Sequence, residues 1–186
     1  MISYQYSKKI LKKAIIKIND ENIKSTNSLN RVVSKNVYSG INYPSGDNAA
    51  FDGYAINSND TKNIKKNLPK KFKIIGLIAA GNKPLKKKVQ KYDTVEIMTG
   101  GIIPKGFDTI IPIEQIIFYP NKKNKKYILI EKKISKYNHV RFAGSDFKKK
   151  EIIVKKNTII QPNHILAFKT LGIKNITVKK KINILF

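Results

Sequence analysis

The chain has 186 residues, 41% of them hydrophobic and none of them cysteine, so it can bury one medium core or two small ones, and disulfides and thiolate metal sites are excluded. Thirty-eight Lys and Arg against twelve Asp and Glu give a formal net charge of +26. No run of about eighteen apolar residues is present to span a membrane, and the lysine-studded N-terminus lacks the small-residue cleavage site of a signal peptide, so a cytoplasmic protein is the expectation.

Residues 4–18 place Tyr6, Ile10, Leu11, Ala14, Ile15 and Ile18 on one helical face and lysines 8, 9, 12, 13 and 17 on the other. This predicts an amphipathic N-terminal helix, expected to pack on its own protein rather than on a membrane. Residues 19–30 are polar and read as a connector to a short strand around Val32-Val33. After Pro44, residues 72–78, 94–98, 109–113 and 127–131 are short, β-branched runs punctuated by Gly, Pro and Asn, the pattern of a small all-β domain. Residues 62–71 and 121–126 are lysine- and asparagine-rich loops, the second a hairpin tip. From Glu151 the pattern is strand, turn, helix, strand. Pro162 sits where a first helical residue belongs and Gly172 just past the end. Ile165, Leu166 and Leu171 are expected to face a core. Residues 175–178 and 182–186 then read as strands split by three lysines.

The charge calls for its own reading. Between Asp60 and Asp93 lie eleven lysines and no acid, which resembles a nucleic-acid footprint. Yet Arg31 and Arg141 are the only arginines, and no basic motif interleaved with aromatics is visible in the sequence. The lysines read as solvated surface with weak, salt-sensitive affinity for polyanions, and nucleic acid is not an expected partner.

Two stretches stand out as candidates for chemistry. In the first, Asp52-Gly53 lies between apolar runs, which in isolation is a hairpin signal because both residues tolerate positive φ. In the second, a strand-like run ends at Thr99-Gly100-Gly101, Pro104 forbids an immediate helix, and another apolar run leads to Glu114. The paired glycines read either as a simple turn or as a nest whose N–H groups face an anion. No Gly-Lys-Ser/Thr follows and no helix opens there, so neither a phosphate-binding P-loop nor a dinucleotide fingerprint is present. A third stretch, Val140-Arg141-Phe142-Ala143-Gly144-Ser145-Asp146-Phe147, precedes the final strand–helix–strand. His139 and His164 are isolated and read as surface or packing residues.

Taken together and in this order, Asp52-Gly53-Tyr54-Ala55, then Ile97-Met98-Thr99-Gly100 with Pro104-x-Gly106-x-Asp108 and Glu114, then Arg141-x-x-Gly144-x-Asp146 and Leu171-Gly172-Ile173, resemble the molybdopterin molybdenumtransferases. The gephyrin C-terminal domain is similar. The resemblance runs from about residue 29 to the end. It departs from the family at Ala49, where serine is common, and at Ser145, where an acid usually precedes Asp146.

The resemblance implies a mainly β (α+β) fold in which a small β-rich domain, residues 29–40 plus 148–186, is interrupted by an inserted β domain, 41–147, and preceded by the N-terminal helix and linker, 1–28. It implies insertion of molybdate into adenylyl-molybdopterin with Mg²⁺, with Asp52 and Thr99 as catalytic residues, Gly53, Gly100, Arg141 and Asp146 binding substrate, and Asp52 and Glu114 holding the metal. Carboxylates are natural Mg²⁺ ligands, and the residue-level alternatives stay open: a turn role for Asp52, a strand-end cap for Thr99, an internal ion pair for Arg141 and Asp146. Family members are homodimers and continue into a large α/β domain that carries most catalytic groups. The chain is therefore expected to be incomplete alone, with a separate polypeptide supplying that domain. The alternatives are a non-catalytic remnant or binding module and, more weakly, a polyanion-binding protein.

Overall fold

The structure, a computed structural model, describes residues 2–13, 17–82 and 87–182. In chain order the elements are α1 (Tyr4–Lys13), β1 (Asp20–Lys24), β2 (Val37–Tyr38), β3 (Asn48–Ala49), β4 (Gly53–Ile56), β5 (Lys70–Ile78), β6 (Asp93–Ile97), β7 (Thr109–Pro112), β8 (Ile117–Pro120), β9 (Lys125–Ile130), β10 (Val140–Arg141), β11 (Ile152–Val154), α2 (Pro162–Thr170) and β12 (Asn175–Lys179). The fold is mainly β with a helix near its N-terminus, as the sequence predicts. Among the described residues no helix is long and apolar enough to cross a membrane. The chain divides into two units, Met1–Gly40 with Lys150–Phe186, and Ile41–Lys149.

In the discontinuous unit, β1 pairs antiparallel with β12 along its whole length and β2 pairs with β11. The sequence reads residues 19–30 as a connector, and β1 corrects that. Four of its five residues are polar and Ile23 leans on the core, while the neighbouring strand and Arg31 supply charge partners: Lys179 Nζ meets Asp20 Oδ1 at 2.7 Å, and Arg31 Nη2 bonds both Glu21 and the Lys179 carbonyl. The core beneath is Val33, Val154, Ile160, Phe168, Ile176 and Val178.

Helix α2 begins at Pro162, where a missing N–H is harmless, and His164 Nδ1 accepts the Gln161 N–H at 3.0 Å. Phe168 and Leu171 are buried and Ile165 leans on the core, but Leu166 is 68% exposed. The expectation for Leu166 fails because positions 165, 168 and 171–172 share a helical face, whereas 166 is turned about 100° away. Helix α1 (Tyr4–Lys13) buries none of its residues; Tyr6, Ile10 and Leu11 are exposed, so the predicted apolar face does not pack on this chain among the described residues. Ile18 lies beyond the helix. Ala14, Ile15 and the predicted strand from residue 183 onward fall outside the described residues.

The contiguous unit is organised by a six-stranded sheet in the order β7-β4-β6-β5-β9-β8, with β5–β6 its one parallel pair. Every residue of β4 is buried. Tyr54 and Ile56 enter one core with Phe72, Ile128 and Ile130, while Ala55 enters another with Ile78, Val95 and Ile97. An unbroken apolar tetrad belongs in such a strand, covered on both faces. Tyr54 meets Phe118 of β8 edge-on at 5.9 Å although three strands separate β4 from β8, so the sheet is curled. The tip between β8 and β9 is a tight hairpin in which Asn121 Oδ1 accepts the Asn124 N–H at 2.9 Å.

Truncating α2 separates the two readings of its face. Phe168→Ala removes a fully buried ring and is expected to destabilise the protein by about 3–5 kcal/mol in denaturant unfolding. Leu166→Ala is expected to stay within about 0.5 kcal/mol. Equal losses would refute the assignment of the buried face.

Candidate functional site

The site is built from the register of β4. In the antiparallel β4–β6 pair Gly53 lies opposite Ile97. Residues just before 53 must therefore run alongside residues just after 97, which brings Asp52 to Thr99 across 47 positions of sequence. On its other side β4 pairs with β7, Gly53 opposite Pro112. The approach is so close that a Cβ at Gly53 would stand 2.0 Å from the Ile111 carbonyl oxygen. Only glycine fits, so the requirement at Gly53 is one of packing.

Asp52-Gly53 is not a hairpin turn. β3 pairs with β10, and β4 pairs with β6 and β7, so residues 50–52 are a corner between one ribbon and the sheet. The tie to β7 is prolonged there, since the Ile113 N–H donates to the Asp52 carbonyl at 3.0 Å. The Thr99 N–H and hydroxyl both donate to Asp52 Oδ1, at 2.7 and 2.6 Å. Oδ2 accepts no hydrogen bond from the described residues. The Thr99 hydroxyl first, and its N–H second, hold the Asp52 carboxyl below the usual carboxylate range.

The glycines after Thr99 close a turn. The Gly100 N–H donates to the Ala49 carbonyl at 2.9 Å, the Gly101 N–H to Met98 at 2.8 Å, and the Ala49 N–H to Gly101 at 3.0 Å. Gly100 adopts φ +79, as a left-handed turn residue. With the N–H groups of residues 99, 100 and 101 all committed within the protein, the anion-nest reading is overturned and the turn reading stands.

Arg141 and Asp146 form an internal ion pair, Nη2 reaching the two carboxylate oxygens at 2.6 and 2.5 Å. The pair closes a loop whose Gly144 and Asp146 N–H groups bond to the Pro44 and Tyr43 carbonyls at 2.9 and 3.0 Å. Arg141 stands opposite Asn48 at one end of the β3–β10 ribbon, and Asp52 follows the other end. No hydrogen bond among the described residues joins the Arg141–Asp146 pair to Asp52 and Thr99. Glu114 is exposed in a single 3-10 turn at Ile113–Gln115, next to the residue that holds the Asp52 carbonyl. Ala49, at the first departure from the family pattern, is buried against Val140 with both backbone groups bonded.

Phe51 is not singled out by the sequence, and His139, read there as a surface or packing residue, packs on it. The His139 carbonyl accepts the Ala50 N–H at 3.0 Å, and its ring meets the Phe51 ring edge-on, centroids 5.1 Å apart at 89°. A histidine next to Val140-Arg141 was the available signal, but nothing local indicates that β10 lies against β3.

The sequence profile described as the MoeA N-terminal region (domain I and II) matches residues 2–172. The molybdopterin molybdenumtransferase of Staphylococcus aureus (strain Mu50 / ATCC 700699) is 30% identical over 154 residues, which are 83% of this chain and 35% of that protein. The enzyme of the same name from Bacillus subtilis (strain 168) is 25% identical over the same share of each. A crystal structure of a molybdopterin biosynthesis MoeA protein from Pyrococcus horikoshii superposes with a TM-score of 0.84 at 28% identity, covering 93% of this chain and 43% of that one. The chain thus spans about a third of the length of the curated relatives it matches. With its three motifs, its curled sheet and the profile match over nearly its whole length, this chain belongs to the molybdopterin molybdenumtransferase (MoeA) family of molybdenum cofactor biosynthesis.

Proposed function

We propose that this chain supplies the Asp52–Thr99 part of a site that inserts molybdate into adenylyl-molybdopterin with release of AMP. The observation that carries the reading is the convergence of two Thr99 donors on one oxygen of Asp52. Four other carboxylates, on Asp20, Glu21, Glu96 and Asp146, are answered by lysine or arginine. Asp52 is held by neutral donors, so it is oriented and kept ionised while its negative charge stays uncompensated. That is the state a cation ligand or an electrostatic guide for a reacting group requires.

The donor set fits Mg²⁺. Among the described residues no cluster of three or more acidic or histidine side chains forms an all-protein cage, and Mg²⁺ characteristically takes one or two carboxylates and shares its remaining positions with phosphate and water. Asp52 through Oδ2, with Glu114 as a second carboxylate, would hold it, and the ion would supply charge neutralisation at the substrate phosphates. Thr99 fixes the Asp52 rotamer, the Gly100 turn keeps the site's edge free of side chains, and Arg141 and Asp146 line the substrate's approach. The remaining groups come from the α/β portion of the longer relatives, within a dimer or from a second polypeptide. A cytoplasmic setting accompanies this reading.

A second reading, a docking module without catalysis, draws on one observation. Helix α1 leaves Tyr4 78% and Leu11 73% exposed with no residue buried. Light scattering of the chain, alone and mixed with the C-terminal portion of a longer relative, distinguishes the cases. A mass that never rises removes the docking reading.

Asp52→Asn preserves volume and tolerance of the backbone angles but removes the charge. With the α/β portion supplied, AMP release is expected to fall at least tenfold, about 1.4 kcal/mol, with the melting temperature unchanged. A lower melting temperature with unchanged turnover would reduce Asp52 to a structural role.

The pH dependence has a defined sign. Because the Asp52 carboxyl is depressed in the fold, its stabilising contribution is present above the ordinary carboxylate range and is lost as pH falls through the folded value. Thr99→Val keeps the N–H donor and removes the larger influence, so the Asp52 midpoint in a ¹³C NMR titration should move upward. The stability deficit of Thr99→Val should vanish at pH low enough to protonate Asp52 in both proteins. An unmoved midpoint would show that the hydroxyl does not hold the carboxylate.

A further inference from the structure

We infer that His139 is a positioning residue for Asp52, acting through the two residues that lead into it. This rests on the reading of Asp52 as a group of the reacting site. The corner at residues 50–52 has to turn the chain out of the β3–β10 ribbon and into β4 while presenting Asp52 to Thr99. Its far end is fixed by the sheet, through Gly53 and the Ile113 N–H on the Asp52 carbonyl. At its near end Ala49 is bonded to Gly100 and Gly101, and within the corner itself two further contacts both come from His139: the carbonyl takes the Ala50 N–H at 3.0 Å, and the ring packs perpendicular to that of Phe51, centroids 5.1 Å apart.

The backbone of His139 is shaped for this. Its φ is +54, an uncommon value for a residue with a side chain. With that reversal, consecutive carbonyls serve different segments. The Asn138 carbonyl accepts the Ile110 N–H of β7 at 2.9 Å, and the His139 carbonyl accepts the Ala50 N–H of the corner. Val140 then enters register opposite Ala49. Residues 138–140 therefore clamp β7, the corner and β3 to one another.

Burial does not explain the ring contact. Phe51 is 52% exposed, so little apolar area holds its ring in place. The perpendicular arrangement with His139, positive edge towards negative face, is the directional interaction available to it. His139 touches neither Asp52 nor Thr99 through a hydrogen bond. It acts by limiting the positions that Phe51, and hence Asp52, can adopt.

Three variants test this in the chain as it exists. His139→Asn keeps a residue tolerant of positive φ and the carbonyl but deletes the ring. Phe51→Ala deletes the other ring at a half-exposed position, so it reads the same contact should His139→Asn fold poorly. Phe51→Tyr retains the ring edge. NMR hydrogen exchange of the Thr99 amide, whose partner is Asp52 Oδ1, is expected to quicken at least about tenfold in the first two and stay within about twofold in Phe51→Tyr, with exchange at Phe168 and Val178 unchanged. In the molybdenum-insertion assay with the α/β portion supplied, kcat should fall about fivefold or more in the same two variants, with KM for adenylyl-molybdopterin little changed. Thr99 exchange unaltered in both ring deletions would overturn the proposal. Faster exchange with undiminished turnover in those variants and in Asp52→Asn alike would leave His139 positioning Asp52 and remove the catalytic reading instead.

Discussion

The candidate site depends on one contact without a side chain. At Gly53 the β4 backbone passes so near the Ile111 carbonyl that a Cβ would stand 2.0 Å from its oxygen. This approach lets β4 sit between β6 and β7 with all four residues buried. The register of that strand then dictates the chemistry around it. With Gly53 opposite Ile97, the residues leaving β6 run back along the corner that enters β4, and Thr99 arrives beside Asp52. Moving the register by one residue would turn every β4 side chain to the opposite face and would separate the two.

The polar groups nearby are nearly all committed. The N–H groups of Thr99, Gly100 and Gly101 bond to Asp52, Ala49 and Met98, and the Ala50 and Ile113 N–H groups bond to His139 and Asp52. Asp52 keeps one oxygen without a hydrogen bond from the described residues, on a carboxyl whose charge is favoured by donors that carry none. In a chain of net charge +26 a carboxylate held this way differs from the lysine-paired acids of the surface. Those exposed pairs are weakened by solvent and salt, whereas Asp52 owes its position to hydrogen bonds from Thr99.

Much of the scaffold is legible in the amino-acid sequence because local causes specify it. The β-branched runs at 72–78, 94–98, 109–113 and 127–131 mark β5, β6, β7 and β9; Pro162 and Gly172 bracket α2; the asparagine–lysine stretch at 121–126 makes a hairpin tip. Residues 52, 99, 141 and 146 were also recognisable as candidates, through three motifs in fixed order.

Tertiary structure decided which of those residues meet and what the neighbouring signals mean. Asp52 and Thr99 join, Arg141 and Asp146 pair with each other, and Glu114 lies on the exposed turn whose first residue, Ile113, bonds to the Asp52 carbonyl. Asp52-Gly53 becomes a corner because β3 and β4 have different partners, and the glycine pair closes a turn because Ala49 and Met98 take its N–H groups. The mostly polar stretch 20–24 becomes a strand because β12 is available along its length, and Phe168 rather than Leu166 meets the core because of where α2 is set down. His139 acquires a role through a strand pairing made about 90 residues away in the chain. Propensity, turn chemistry and apolar period act over a few residues and can be read along the chain, whereas strand register between distant segments is set by the simultaneous fit of all the strands, which no single stretch encodes.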